Sequence, residues 1–414
     1  MDYSKLANDL FFSKEAAEYL GITTQRLNQL VHDEKIKPLK KNTSGTIFHI
    51  HELNLRKEEL LIFDKIKDGG KNGMFEIDTK TKQEALNFAT MMNVLAYTEN
   101  KLEPLFETLS ETIDIAKPLD QSDIYHAYAE FFNVPAEKIK KEYQAAYKSF
   151  TQLYPTDEII KRGSKDYPPL LMETEQAPRF LYIRGKKSLL FEKRTVALVG
   201  SRNASDAAKD NTRRVAEALG KNGIIVVSGL AKGIDVTAHV TALKNGYNTI
   251  AVIGTNLNQY YPKENCEVQK EIEKKGLVVS QFSPANKTQR WFFPLRNGVM
   301  SGLSLATVIM EAGETSGALK QADFALKQNR QILIPEKALE MTTITWPARY
   351  VKRGAEIVRT PKDIISKLSE SSIYHPQEKE KYVQGNLADF FQTKGNVDEK
   401  EDISVPLKTV ELEA

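Results

Sequence analysis

Six short runs of aliphatic residues between positions 195 and 335 constrain the fold of this chain more than any other feature. They are TVALVG, GIIVVSG, NTIAVIG, GLVVSQF, ATVIMEA and RQILIP, and segments with helical periodicity separate them. Each run is apolar throughout instead of alternating with polar residues, which indicates strands that are buried on both faces of a parallel sheet. Strands that alternate with helices in this way predict a doubly wound α/β domain.

Composition and hydrophobic periodicity change along the 414 residues and divide the chain into four segments. We expect two short helices and a hairpin in residues 1–62, a helical spacer or dimerisation region in 63–162, a Rossmann-like, mostly parallel α/β domain in 163–367, and a polar, disordered tail in 368–414. Within the first two segments, Ser13 is expected to cap a helix that ends at Gly21, and Pro104, Pro118 and Pro135 are expected to interrupt the helices.

Composition narrows the class of protein. The formal net charge of +3 does not by itself mark a nucleic-acid binder, although it is compatible with a local basic groove. Cys266 is the single cysteine, so an intrachain disulfide is excluded and a reducing compartment is indicated. The amino terminus lacks a signal-peptide pattern, and no apolar stretch approaches the ~20 residues that span a bilayer. We therefore expect a cytoplasmic protein that does not contact a membrane.

The residues that follow the predicted strands are of the types that bind anions. In an open parallel sheet, ligands bind where strands end and helices begin. Glycines there let the backbone approach a ligand, helix amino termini bind phosphate, and cations add charge. The predicted pocket residues are Gly200, Ser201, Arg202, Gly229, Lys232, Gly254, Phe293, Arg296, Asn297, Ser316 and Gly317. Together they predict an anion pocket at one edge of the sheet.

Five motifs of this region occur in a characteristic order. VGSR, SGLAKGID followed by AH, YPKEN, FPLRNG with SGLS, and EAGETSGAL are preceded by YPPLL and APRFLYIRG. Over roughly residues 150 to 360, they resemble the successive signatures of the DNA-processing protein A (DprA/Smf) family. The resemblance implies a homodimer that binds single-stranded DNA in a basic pocket and helps load the RecA recombinase. It implies that the cations and Ser201 hold phosphates, while Phe293 either stacks on a base or is a core aromatic.

Three positions depart from the family pattern. Gly298 stands where a second arginine usually follows FPxRN, so one phosphate contact is expected to be missing. Asn329 and Glu336 stand where glycine is common.

The amino-terminal segment resembles a different family. The stretch SKEAAEYLGITTQRLNQLVHDEKIKPLKK, followed by FHIHELN, is similar to a MerR/excisionase-type winged helix-turn-helix. The resemblance implies that its second helix enters the major groove of duplex DNA. The expected contacts are Gln25, Arg26 and Gln29 on that helix and Lys40 and Lys41 in the wing. A small helical protein-binding module is the alternative.

Other functions remain open at this stage. The same pocket fits a sensor of free nucleotides or signal molecules, as in an antiphage defence or toxin–antitoxin system, or a nucleotide hydrolase that uses Glu311. Asp235 is expected to cap the helix after Gly233, and His239 to be a structural hydrogen bonder. No metal-ligand spacing or cofactor motif is present, and we expect no catalysis. Residues 384–391, QGNLADFF, resemble the short peptide motif by which proteins bind a sliding clamp.

Overall fold

The computed structural model describes residues 10–32, 36, 38–42, 45–49, 53 and 75–370. The amino-terminal part contains strand β1, two helices and a hairpin: β1 (Leu10–Phe12), α1 (Ser13–Leu20), α2 (Thr24–His32), β2 (Lys40–Asn42) and β3 (Gly45–His49). The strands pair antiparallel in the order β1-β3-β2. Leu27, Leu30 and Phe48 belong to a small hydrophobic core that these elements share.

The start of α1 differs from the expected cap. Phe12, not Ser13, is the N-cap residue, and its backbone N–H donates to the Glu15 carboxylate at 2.9 Å. Ser13 instead donates from its hydroxyl to the Thr46 carbonyl across the small sheet. The helix ends as predicted at Gly21, whose φ of 68° is left-handed.

Four helices follow: α3 (Lys80–Leu95), α4 (Glu99–Ser110), α5 (Ser122–Phe132) and α6 (Ala136–Phe150). Pro118 lies in the turn before α5, and Pro135 directly precedes α6. The prediction for Pro104 was wrong, because this residue lies inside α4. The proline leaves the Asn100 carbonyl without its helical donor, but both residues are exposed, so solvent can hydrate that carbonyl.

The main sheet has nine strands in the order β12-β11-β10-β6-β7-β8-β9-β5-β4. Their ranges are β4 (Glu158–Lys161), β5 (Phe180–Gly185), β6 (Thr195–Gly200), β7 (Ile225–Ser228), β8 (Thr249–Val252), β9 (Leu277–Ser280), β10 (Ala306–Glu311), β11 (Gln331–Pro335) and β12 (Glu356–Val358). All six predicted strands, β6 to β11, are present and parallel, which confirms the α/β fold with a mostly parallel sheet. The chain order reverses between β6 and β10.

Helices cover the sheet on both faces. They are α7 (Pro169–Met172), α8 (Asp206–Lys221), α9 (Ile234–Lys244), α10 (Cys266–Lys275), α11 (Phe292–Gly302), α12 (Gly317–Lys327), α13 (Trp346–Val351) and α14 (Pro361–Glu370). None of the helices in the described part of the chain is long and apolar enough to span a membrane. The clamp-like segment 384–391 lies outside the described residues.

The four-helix region packs directly on the sheet. Apolar residues of α3 to α6 form one buried cluster with sheet residues such as Phe180, Tyr182 and Val278. Arg179, which is 3% exposed, precedes β5 and binds Glu84 of α3 at 2.7 Å and also Glu107 of α4. The sheet begins at β4, before the boundary that we expected at residue 163. The helices therefore share a core with the sheet, and a role in dimerisation stays a prediction.

Candidate functional site

The main cleft lies at the carboxyl ends of β6 and β10, where the strand order reverses. This is the position at which doubly wound sheets bind ligands. The cleft has a volume of about 680 Å³. Of the eleven residues predicted for an anion pocket, the cleft-lining ones are Gly200, Ser201, Arg202, Phe293, Arg296, Asn297, Ser316 and Gly317. The structure thus brings together residues from loops that are far apart in sequence.

Two glycine-containing loops form the floor of the cleft by close backbone packing. The Ser201 N–H donates to the Glu311 carbonyl at 2.7 Å, which joins the ends of β6 and β10. Gly233 has a left-handed φ of 74°, and a Cβ at this position would overlap the Ser201 carbonyl oxygen. Glycine is therefore required at position 233 both for its left-handed conformation and for the close approach of the two loops.

Arg296 lies beneath the cleft surface. Its side chain is buried, and Nη1 donates to the carbonyls of Gly229, at 2.6 Å, and Val252. Its Nε is buried without a hydrogen-bond partner among the described residues. Burial lowers the pKa of Arg296 to about 10, while Asp235 opposes this shift and Arg202 adds to it. Arg296 thus supplies positive charge below the cleft and fixes the loop at Gly229.

Two buried titratable groups lie near Arg296. The Asp235 carboxylate accepts the N–H groups of Gly229 at 3.1 Å and Ala231 at 3.4 Å, so it fixes the loop before α9. It is not the predicted helix cap, because the N-cap residue of α9 is Gly233. Burial raises the pKa of Asp235. His239 is a structural hydrogen bonder, as predicted.

The His239 imidazole is fully buried, and its Nδ1 lies 2.8 Å from the Thr249 hydroxyl. Burial lowers the pKa of His239 to about 3, so the ring is neutral at physiological pH.

Exposed cations flank the mouth of the cleft. Arg202 and Lys320 are exposed and line it. Lys320 was not predicted, although it lies four residues after Ser316 and so on the same side of the predicted helix. Lys232 is exposed but does not line the cleft; it pairs with Glu264.

The amino terminus of α12 also opens into the cleft. The Ser316 hydroxyl accepts the Ala318 N–H at 3.3 Å, and Asn297 donates from its amide to the Gly317 carbonyl at 3.3 Å. Gly313 and Thr315 of the preceding loop line the same space. The amino terminus of a helix carries partial positive charge, and together with two cations it is suited to bind phosphate.

Phe293 forms an aromatic wall of the cleft. Its ring is partly buried and lies against Tyr261, with ring centroids 5.2 Å apart. A Cβ at Gly254 would lie 2.5 Å from the Phe293 ring, so Gly254 permits this ring position. One part of the Phe293 ring therefore packs against neighbouring side chains and another part lines the cleft, and base stacking stays a prediction.

The three departures from the family pattern lie away from the cleft. A Cβ at Gly298 would meet the side chains of Gln176 and Phe324, so an arginine here would need those residues to move. Asn329 has a left-handed φ of 54°, which asparagine tolerates better than most residues. Glu336 is held by Arg359 at 2.8 Å.

The Glu311 side chain has a structural role. Its carboxylate accepts the Ser205 N–H at 3.0 Å and the Ser205 hydroxyl at 2.5 Å, at the start of α8. It does not line the cleft. Within the described ranges, no group of His, Cys, Asp or Glu side chains is arranged to hold a metal ion.

Most of the residues predicted to contact duplex DNA are exposed on the amino-terminal part. Gln25, Arg26 and Gln29 of α2 and Lys40 of β2 are exposed. Lys41 pairs through its backbone with Thr46 of β3. This exposure is compatible with duplex binding, which stays a prediction.

A doubly wound sheet with a basic, glycine-rich cleft at its switch point defines a Rossmann-like protein whose cleft is suited to anions. The family model described as DNA recombination-mediator protein A matches residues 158–369, about half of the chain. The chain belongs to this family.

Similar proteins match between half and about two thirds of the chain. DNA processing protein DprA of Streptococcus pneumoniae is 33% identical over 289 residues, which are 69% of this chain and 95% of the relative. A crystal structure of that protein superposes with a TM-score of 0.52 at 29% identity, again over 69% and 95% of the two chains. DNA processing protein A of Helicobacter pylori, described for its single-stranded DNA binding mode, has a TM-score of 0.47 at 26% identity over 52% and 96%.

Proposed function

We propose that this protein binds single-stranded DNA in the cleft between β6 and β10, without catalysing a reaction. The observation that carries the proposal is the convergence of loops on one cleft, where Arg202, Lys320 and the amino terminus of α12 meet. Membership of a DNA recombination-mediator family supports a DNA ligand.

Each part of the cleft has a role in this proposal. Arg202, Lys320 and the backbone N–H groups near Ser316 hold successive phosphates. Arg296 adds charge from below without leaving its carbonyl partners. Phe293 and the exposed Tyr261 offer faces on which bases stack.

Single cation variants test the proposal. Arg202→Ala and Lys320→Ala should each weaken binding of a fluorescent oligonucleotide and reduce the logarithmic salt slope by about 0.7, as expected for one lost phosphate contact on a single strand. Lys232→Ala should have a smaller effect, because this side chain pairs with Glu264 outside the cleft. Lys270→Ala on α10, where Lys270 pairs with Glu267, serves as the surface control.

Strand length separates this function from its alternatives. Affinity that rises with length supports strand binding, whereas saturation at one nucleotide would indicate a nucleotide sensor. Unchanged affinity in both cleft variants, with intact folding, would contradict the proposal. Release of base or phosphate that disappears in Glu311→Gln would contradict the absence of catalysis.

Three further roles belong to the same proposal. The family resemblance supports a homodimer that assists loading of the RecA recombinase on the bound strand. The exposed face of α2 supports duplex binding through Gln25, Arg26 and Gln29. Recombinase filament assembly on coated single strands, followed with and without this protein, tests the loading role.

A further inference from the structure

The start of α11 contributes to two separate hollows of the surface. Phe293 and Arg296 line the cleft between β6 and β10, whereas Trp291 and Phe292 line a polar groove of about 850 Å³. Five amide side chains line this groove: Asn93, Asn256, Gln259, Asn286 and Gln289. The cleft and the groove are therefore separated by a single turn of helix.

Three exposed residues on that turn connect the two hollows. They are Trp291, Pro294 and Leu295, which we call the α11 ridge. The Leu295 N–H donates to the Trp291 carbonyl at 3.3 Å, so both residues belong to the same helical turn. Pro294 lines the cleft as well, and Trp291 lines the groove. The ridge thus provides a continuous surface from one hollow to the other.

The Trp291 ring is supported by two further aromatic rings. It packs against Phe292, with ring centroids 4.5 Å apart and an interplanar angle of 85°. Phe292 is buried and stacks on Phe282 at a centroid distance of 3.9 Å. Trp291 nevertheless remains 43% exposed. A supported, exposed ring loses little conformational freedom on binding, and any base can stack on its face.

Positive charge accompanies the ring on the groove side. Lys287 and Arg290 are exposed, and neither has an ion-pair partner in the part of the chain that the structure describes. Among the described residues that line the groove, Glu142 is the one carboxylate. Two unpaired cations beside an exposed aromatic ring are the combination that binds single-stranded nucleic acid without base specificity.

A third hollow borders the ridge but is less suited to phosphate. It is a cavity of about 570 Å³ with largely aromatic walls, and Trp291 and Leu295 line it. Three carboxylates line the same cavity: Glu99, Glu103 and Glu175. Repulsion from these groups disfavours a phosphate backbone inside the cavity, so the charge distribution favours the groove.

We infer that the strand held in the cleft continues across the α11 ridge into the groove, with one base stacked on Trp291 and phosphates at Arg290 and Lys287. The inference rests on the proposed function, because the cleft holds the first part of the strand. A short strand fills the cleft alone, whereas a longer strand also reaches the ridge.

Two strand lengths test the inference on the full-length protein. The probes are labelled thymidine strands of about 4 and about 20 nucleotides, which bracket common single-strand site sizes. Trp291→Ala should weaken binding of the long strand at least about fivefold, the low end for loss of one base-stacking ring, and leave the short strand unaffected. Arg290→Ala should reduce the logarithmic salt slope by about 0.7 for the long strand only. Phe191→Ala, which removes a ring that is 41% exposed before the start of β6, is the matched control.

Tryptophan fluorescence reports stacking directly. The chain has two tryptophans, and the second, Trp346, is fully buried and donates from Nε1 to the Ala312 carbonyl at 2.8 Å. The long strand should therefore quench the emission of Trp291, and the short strand should not. Trp291→Phe should lose this quenching and still bind the long strand, because phenylalanine also stacks on bases.

The outcomes separate the ridge from the cleft. Wild-type affinity of Trp291→Ala for the long strand, or emission that the bound long strand leaves unchanged, overturns the inference while binding of the short strand upholds the cleft proposal. Suppose instead that Arg202→Ala and Lys320→Ala bind both strands like wild type, whereas Trp291→Ala loses the long strand. The cleft proposal then fails, and the ridge stands as a strand-binding site. If neither strand binds, both are overturned.

Discussion

Gly229→Ala should destabilise the protein through Arg296. An added Cβ at Gly229 would overlap Nη1 of Arg296, the far end of a long side chain that could normally swing aside. Here the side chain is 6% exposed, and Nη1 donates to the carbonyls of Gly229 and Val252. Moving the guanidinium therefore breaks two hydrogen bonds from a charged donor.

The magnitude follows from those two contacts. Hydrogen bonds to charged groups contribute about 1.5–3 kcal/mol each, and partial hydration in the cleft offsets some of the loss. We expect the free energy of unfolding to fall by about 3 kcal/mol, which corresponds to a decrease of roughly 6–12 °C in Tm for a domain of this size.

Chemical and thermal unfolding measure the effect, with Gly313→Ala as the control. Gly313 also lines the cleft, but a Cβ there would have no neighbour within 4 Å. In the Gly229→Ala background, Arg296→Met should cost less than it does alone, because the two changes disturb the same contact. If Gly229→Ala melts within about 2 °C of Gly313→Ala, the argument that Arg296 is fixed by its carbonyl partners is refuted.

Three further outcomes are expected. The pKa of His239 is about 3 in the folded protein and 6.5 in the unfolded chain, so its contribution to stability is complete above pH 6.5 and is lost as the pH falls towards 3. Between pH 7.5 and 5, the free energy of unfolding of wild type should therefore fall by about 2 kcal/mol more than that of His239→Asn. Urea unfolding at the two pH values measures this difference. Arg179→Met should cost about 3 kcal/mol because it leaves the buried Glu84 undercompensated, and adding Glu84→Gln should recover part of that loss in the same assay. Gln25→Ala combined with Arg26→Ala should lower duplex affinity in gel-shift assays without changing single-strand affinity, whereas a parallel loss of both would place α2 in the main site.

The sequence was informative where one physical signal dominated. The central strands were predicted because each is apolar throughout, but β5 was missed because it contains a charged residue. Arg184 is buried there and binds Asp157 through two hydrogen bonds of 2.7 Å, a pairing between residues distant in sequence. The edge strands β4 and β12 were missed because they are short and carry few apolar residues.

The residues of the site were largely predicted, but the directions in which their side chains point were not. Loops that follow parallel strands had to converge on one edge, so eight of the eleven predicted pocket residues line the cleft. Whether a cation faces the ligand or the protein depends on neighbours that the pattern does not show. Arg296 turns inward to carbonyl groups, and Lys232 turns aside to Glu264. Lys320 was missed because it lies inside a helix.

The shared core of the helical region and the sheet limits how this protein can be divided. A fragment cut to the family-matching residues 158–369 would remove the side chains that cover Phe180 and Tyr182, and it would deprive Arg179 of its three carboxylate partners. Such a fragment would expose an apolar aromatic surface and leave the Arg179 guanidinium without its ion-pair partners. The smallest portable unit of this fold therefore includes Phe75, the first residue of that shared core.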